Sequence, residues 1–493
     1  MPVDFLGNST RSPDPMPKRC ARTDWPAGGH SCARQRNASS EERRKKSSGK
    51  IIDDGDRRAL RLVYHGGILP LDERLSSYAK SRQDRHSVEE TRPPPRRGTH
   101  APMPDSPPAL PPVAEVLKHP AFSTAIYNLD PDRHGLLPVA EGRGGPFKLS
   151  WEIHGAGPVK MMLIMGLGSL KSAWQRQTLY FGHQHRDRYS VLVTDNRGIG
   201  ASDKPLLRYS TSEMARDLVE VLRHVGWLAP AGGAPHVRSA AAGAARPRDR
   251  VHVVGISLGG MIAQELACLM PAHVCSLSLC CTAAAIENTS TFAENMALRA
   301  SMLVPKSVEK SVHTMGLQLF PAAWLVAPDD VTLPDPATMP RVRPPRPGSG
   351  DGDGRGGGGG GGGRGPAGEY LLFNTNGERF VAQEMHKRLD PRASSLKGFL
   401  LQLVAAGWHR KTPAQLKEMA DRIGRDRILV MHGTLDGMID VKLGRKLVEY
   451  VGPGSVHLED GMGHAPIVER SEWFNHLIER QVEQGERLDG RAQ

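Results

Sequence analysis

The chain has 493 residues, with 65 Lys and Arg against 53 Asp and Glu, 5% aromatics and six cysteines, a length that suits two or three average domains or one large domain with padding. The net charge of +12 lies in three stretches rich in Arg, Pro, Gly, Ala and Ser: residues 1–118 carry +7, residues 227–250 carry +3 and residues 334–368 carry +2. The rest is neutral overall, and the basic stretches do not interleave cations with aromatics as a nucleic-acid-binding face does, so no nucleic-acid partner is expected.

No apolar run approaches the ~18 residues needed to span a bilayer, and the chain opens on Met1-Pro2-Val3-Asp4 without a basic region leading into an apolar one. A secretory signal is not expected, and Asp4, Asp14 and Asp24 argue against an acid-poor presequence. The expectation is a cytoplasmic protein with no membrane span, in which the triplets at Asn8, Asn37 and Asn288 stay unglycosylated. Cys268, Cys275, Cys280 and Cys281 sit in apolar patterns without metal-ligand spacing. They read as reduced, buried thiols, and no metal site is expected.

Residues 1–112 show no sustained periodicity and read as a disordered tail, in which Leu60–Leu71 is a short apolar patch. Residues 113–493 read as one domain with two low-complexity insertions, 229–250 and 334–368, the second holding an unbroken glycine run from Gly356 to Gly363. Apolar strand candidates follow in order: Lys148–Ile153, Val159–Met165, Tyr189–Thr194, Val251–Ile256, Val274–Cys281, Ile428–Met431 and Ser455–Leu458. Helical patterns fall at Ser212–Val225, Gly260–Met270, Val441–Val451 and Ser471–Gln484. Strands apolar throughout, alternating with helices, predict a doubly wound, mostly parallel α/β sheet. Too many residues separate Cys281 from Ile428 for one crossover. Amphipathic runs at Phe292–Leu303, Val308–Leu319 and Phe380–Arg388 predict a helical cap, about 282–425, over the carboxyl ends of the strands.

The stretch with most chemical content is Val251-His252-Val253-Val254-Gly255-Ile256-Ser257-Leu258-Gly259-Gly260. A strand runs into Gly-x-Ser-x-Gly and out into a helix, the setting of a nucleophile elbow, where crowding requires near-absent side chains two residues either side of the serine. Ser257 is the candidate nucleophile; a tight structural turn is the alternative. A serine hydroxyl needs a base to take its proton and a carboxylate to steer that base. After the strand at Ile428 comes His432-Gly433-Thr434-Leu435-Asp436, and Asp436 is the candidate acid, with Asp440 as rival and simpler N-cap. After the last strand, Gly461-Met462-Gly463-His464 offers His464 as the base. His154, His409 and His432 read as structural.

From about Val113 onward the chain resembles the α/β-hydrolase superfamily. The resemblance rests on Met165-Gly166-Leu167-Gly168, on Asp195-Asn196-Arg197-Gly198-Ile199-Gly200-Ala201-Ser202-Asp203, on Gly255–Gly259 and on Gly463-His464. It implies that backbone amides of Leu167 and Leu258 form an oxyanion hole, and that the Asp195 stretch is a structural turn beside it. Where the family commonly has His-Gly before the oxyanion residue, this chain has Met165-Gly166. A serine in place of an aspartate nucleophile argues against the epoxide-hydrolase and dehalogenase branches. The expected function is hydrolysis of a carboxylic ester or related acyl compound, largely apolar and small, without cofactor. Thioester, lactone, amide and carbon–carbon bond hydrolysis stay open, as does a non-catalytic binding role; the oligomeric state is open too.

Overall fold

The computed structural model describes residues 110–229, 249–287, 307–345, 368–393 and 395–491. Most of the expected tail, the cores of both insertions, Leu60–Leu71, Asn288–Ser290 and the run Phe292–Leu303 lie outside the described residues. Eight strands form one sheet: β1 (Arg133–Val139), β2 (Phe147–His154), β3 (Val159–Ile164), β4 (Tyr189–Thr194), β5 (Val251–Ile256), β6 (Val274–Cys280), β7 (Ile428–Gly433) and β8 (Ser455–Glu459). The order is β1-β2-β4-β3-β5-β6-β7-β8, antiparallel at the β1/β2 and β2/β4 pairings and parallel elsewhere. This is the doubly wound α/β sheet that the sequence predicts. Strands β4, β5, β6 and β7 are buried at every position, as required when helices cover both faces. Sequence reasoning missed β1, because Gly135 and Pro138 interrupt its pattern; both are tolerated at an edge, where half the backbone needs no partner.

Helices α1 (Thr211–His224), α2 (Leu258–Leu269), α6 (Pro413–Ile423) and α7 (Val441–Val451) pack on one face, through Leu218, Val221, Ile262, Leu266, Leu416, Ile423 and Leu447. Helix α8 (Ser471–Leu488) covers the other with Phe474, Leu477, Ile478 and Val482. Three of these starts are chemically marked: Ser210 caps α1, Thr412 and Gln415 form a capping box ahead of Pro413, and Asp440 caps α7.

Helices α3 (Val308–Leu319), α4 (Asn376–Leu389) and α5 (Leu396–Trp408) lie between β6 and β7 in the chain. Val312, Phe320, Phe380 and Val381 give α3 and α4 a core of their own, shared with Leu110, Val116 and Ala465. Three expected limits move. Helix α6 belongs to the sheet's flanking layer, so the cap ends before Pro413 and not near 425. Leu110 is buried where a Cβ on Gly316 or Gly377 would lie only 3.0 or 2.7 Å from it, so a domain limit at Val113 cuts through packed chain. Val342 is buried and bridges Leu129, so the first part of the 334–368 stretch is folded. The last two share one cause: single apolar residues among prolines carry no periodicity, yet one buried side chain suffices to anchor a segment. No helix among the described residues is long and apolar enough to cross a membrane.

Candidate active site

The carboxyl ends of β3, β5, β6, β7 and β8 meet at one edge of the sheet, and each is followed by a residue of interest. After β5, Ser257 stands at φ 57°, ψ −124°, directly ahead of α2. The backbone is held there by its amide, which donates to the Cys280 carbonyl at 3.0 Å, and by its carbonyl, which accepts from the Thr282 hydroxyl at 2.7 Å. Positive φ in a non-glycine residue costs of order 1–3 kcal/mol and persists only where the surroundings enforce it. The flanking glycines enable it: a Cβ on Gly255 would lie 2.4 Å from the Gly259 carbonyl, and one on Gly259 would lie 2.1 Å from the Ile164 carbonyl. Gly259→Ala therefore cannot be accommodated without moving β3 or α2. The expected result is a fall in melting temperature of more than 10 °C or failure to accumulate as folded protein, read by thermal denaturation.

After β3, the loop Met165–Gly168 lies against this turn, since a Cβ on Gly166 would be 3.0 Å from that of Ser257. Leu167 follows Gly166 in this loop, and Leu258 begins α2, where the first-turn amides have no acceptor within the helix. The loop is held by Asn196, whose side-chain amide donates to the Met165 carbonyl at 2.9 Å, and by Gln402 on α5, which accepts from the Gly168 amide at 2.8 Å. The Asp195 stretch is the structural turn that was expected. The Asp195 carboxylate accepts from the Lys171 and Ala201 amides, and Arg197 pairs with Asp217 while lying between the rings of Phe147 and Tyr209.

After β7 and β8, Asp436 and His464 are brought together: Nδ1 of His464 lies 2.7 Å from Oδ2 of Asp436, both buried. Oδ1 of Asp436 accepts from the amides of Met438 and Ile439, each at 2.8 Å. Burial alone would push this carboxyl up. The facing His464, with hydrogen bonds from His432 and His464, outweighs that and holds it well below the usual carboxylate range. Asp440 accepts from the Lys442 amide as a helix cap and is not joined to His464. The His464 loop is tied to the cap: the His464 amide donates to the Leu319 carbonyl at 2.7 Å, at the end of α3. The Gly463 amide donates to Glu469 at 2.8 Å, and burial pushes that carboxyl up to about 7.

Two of the histidines read as structural are so placed. His409 is buried against Thr211 and Gln264, and burial pulls it down to about 3; His154 pairs with His183 at 3.0 Å. His432 is different. Its Nε2 lies 2.8 Å from the Ile439 carbonyl and 3.1 Å from Oδ2 of Asp436. Both are acceptors, so Nε2 carries the proton, and Asp436 receives a second imidazole besides His464. Only the position of His432, four residues before Asp436, hinted at this. Cys281, after β6, completes a group with Asp436 and His464 in which one polar atom from each lies within 4.8 Å of the others; burial pushes its thiol well up.

Residues 153–477 match the model of the alpha/beta hydrolase family. RutD of Azorhizobium caulinodans, a protein named for carbamate hydrolysis, is 29% identical over 189 residues, 38% of this chain and 60% of that one. The 3-oxoadipate enol-lactonase 2 of Acinetobacter baylyi is 29% identical over 120 residues, 24% of this chain and 36% of that one. The chain thus spans less than two thirds of the length of the curated relatives it matches. Among solved structures, an esterase from Thermogutta terrifontis is similar at a TM-score of 0.47 and 16% identity, covering 72% of this chain and 99% of that one.

Proposed function

We propose that this chain, which belongs to the alpha/beta hydrolase family, is a serine hydrolase that cleaves a carboxylic ester or a closely related acyl compound through Ser257, His464 and Asp436. What carries the reading is the strained turn at Ser257, flanked by two glycines that cannot be replaced, on the same sheet edge as the hydrogen-bonded Asp436–His464 pair. In the proposed cycle the Ser257 hydroxyl attacks the substrate carbonyl as His464 takes its proton, and the amides of Leu167 and Leu258 hold the oxyanion. The tetrahedral intermediate collapses, His464 gives the proton to the leaving alcohol, and an acyl-enzyme remains. Water, deprotonated by His464, then attacks the acyl group; the acid leaves and Ser257 regains its proton. Throughout, Asp436 keeps the proton on Nδ1 of His464 and stabilises the imidazolium. His432 holds Asp436 in place.

RutD and the enol-lactonase are named for carbamate and lactone substrates, and both bonds are acyl–heteroatom bonds open to the same steps. The surroundings favour an apolar acyl group: the loop against the Ser257 turn carries Leu167, and the Phe399 ring stands 2.8 Å from where a Cβ of Gly168 in that loop would be. Each buried methylene contributes about 0.8 kcal/mol, so kcat/KM for p-nitrophenyl esters should rise about fourfold per added carbon until the site is full. A flat profile from acetate to octanoate would remove the apolar preference and leave the triad standing. A fluorophosphonate probe tests the triad itself. Labelling of the wild type that vanishes in Ser257→Ala supports it, and an unlabelled wild type favours a binding role instead.

A further inference from the structure

Helix α5 is built inside out. Its buried side carries Gly398, Gln402, Ala405 and Ala406, while the side facing water carries Leu396, Leu400, Val404 and Trp408, exposed by 75%, 48%, 36% and 64%. Four-residue spacing advances each by only about 40° around the helix axis, so these four form one stripe roughly 18 Å long. The inner side explains half of this. Gly398 meets the backbone of Gly198, where any Cβ would lie 1.9 Å from its carbonyl oxygen. Gln402 bridges the oxyanion loop to the turn after β4, accepting from the Gly168 amide and donating to the Arg197 carbonyl. Nothing in the hydrolase chemistry explains the outer side, and an apolar stripe this long on a surface marks an interaction site.

The charges around it identify the partner. Of the cations from 391 to 417, Arg392, Lys411 and Lys417 pair with Asp390, Glu265 and Asp421, while Lys397, on α5 itself, and Arg410, just past its end, are exposed, and no acidic residue lies in that stretch. Arg208, from the loop ahead of α1, places its guanidinium 3.4 Å from the centroid of the Trp408 ring, and Leu206 and Leu207 beside it are exposed as well. A leucine stripe ending in a tryptophan, edged by cations, has the composition of a helix lying in the interface of an anionic bilayer. There the ring sits at headgroup depth and the cations meet phosphates. Two copies pressed together through this stripe would bring like charges into contact.

We propose that α5, with the Leu206–Arg208 loop, docks the protein onto anionic phospholipid surfaces and sets the oxyanion loop next to the membrane. The docking does not depend on the hydrolase reading; its corollary, that the acyl substrate is drawn from the lipid phase, does rest on that reading.

The test is cosedimentation of the full chain with phosphatidylcholine vesicles, with and without phosphatidylglycerol. Binding should require phosphatidylglycerol and weaken with salt. It should fall more than tenfold in the triple variant Leu396→Ser/Leu400→Ser/Trp408→Ser. It should fall about fivefold for each of Lys397→Gln and Arg208→Gln, from ~1 kcal/mol per cation near such a surface. All are surface positions, and circular dichroism checks that the fold persists. Wild-type protein that does not sediment with either vesicle overturns the proposal. So does undiminished binding by the triple variant, which would assign it to the basic N-terminal stretch. A dimer seen by light scattering that the triple variant abolishes would assign the stripe to a second copy instead. Hydrolysis of a water-soluble acetate ester by the triple variant should equal that of wild type, while hydrolysis of a vesicle-embedded ester falls. Vesicle binding without hydrolysis of either ester would sink the hydrolase reading and leave the docking intact.

Discussion

Ser257→Ala and His464→Ala should each lower kcat by about six orders of magnitude, and the double variant should be no worse than either single one. The reason is that a serine hydroxyl without a base, or a base without its hydroxyl, performs none of the attack, so the second loss removes nothing further. A residual rate above that of water should survive in all three, since the amides proposed to hold the oxyanion belong to the backbone. Ester hydrolysis measured under saturating substrate checks this. Losses that multiply in the double variant would mean that the two side chains act in separate steps, and one of them would lose its assigned role.

Asp436→Asn should lower kcat by about four orders of magnitude with the melting temperature little changed, and the hydrogen bonds show how. The amides of Met438 and Ile439 both donate to Oδ1, so an asparagine places its carbonyl oxygen there and turns its NH2 toward His464 and His432. His464 must then accept at Nδ1 and carry its proton on Nε2, the atom proposed to face the serine, where it cannot act as a base. The NH2 also meets the proton that His432 carries on Nε2. Asp440→Asn should leave kcat near wild type, because asparagine caps a helix as well as aspartate does. A reversed ranking of the two variants would move the acid to Asp440.

The sheet and the Ser257 turn were legible because each is a local pattern. Uninterrupted apolar runs announce parallel strands, and Gly255 and Gly259 announce a turn that no other residue permits. The Asp436–His464 pairing followed from chain order alone, since both loops leave the same edge of a parallel sheet. What was hidden depends on contacts between distant residues. The bond from Asn196 to the Met165 carbonyl and the one from Gln402 to Gly168 join segments that share no pattern. Helix α5 escaped notice because it is apolar on its wet side and has glycine, glutamine and alanine within, so its periodicity points the wrong way. His432 looked structural for a similar reason: burial in a strand conceals which acceptors its ring meets.

The bond from the His464 amide to the Leu319 carbonyl has a consequence in time as well as in space. An amide so held exchanges its hydrogen with solvent only when the bond opens, and here opening means parting the His464 loop from the end of α3. The backbone of the proposed base is thus a native clock for cap undocking. An excursion of the cap large enough to release that carbonyl frees the backbone that carries the His464 ring, while the bond from its Nδ1 to Asp436 lies outside the cap.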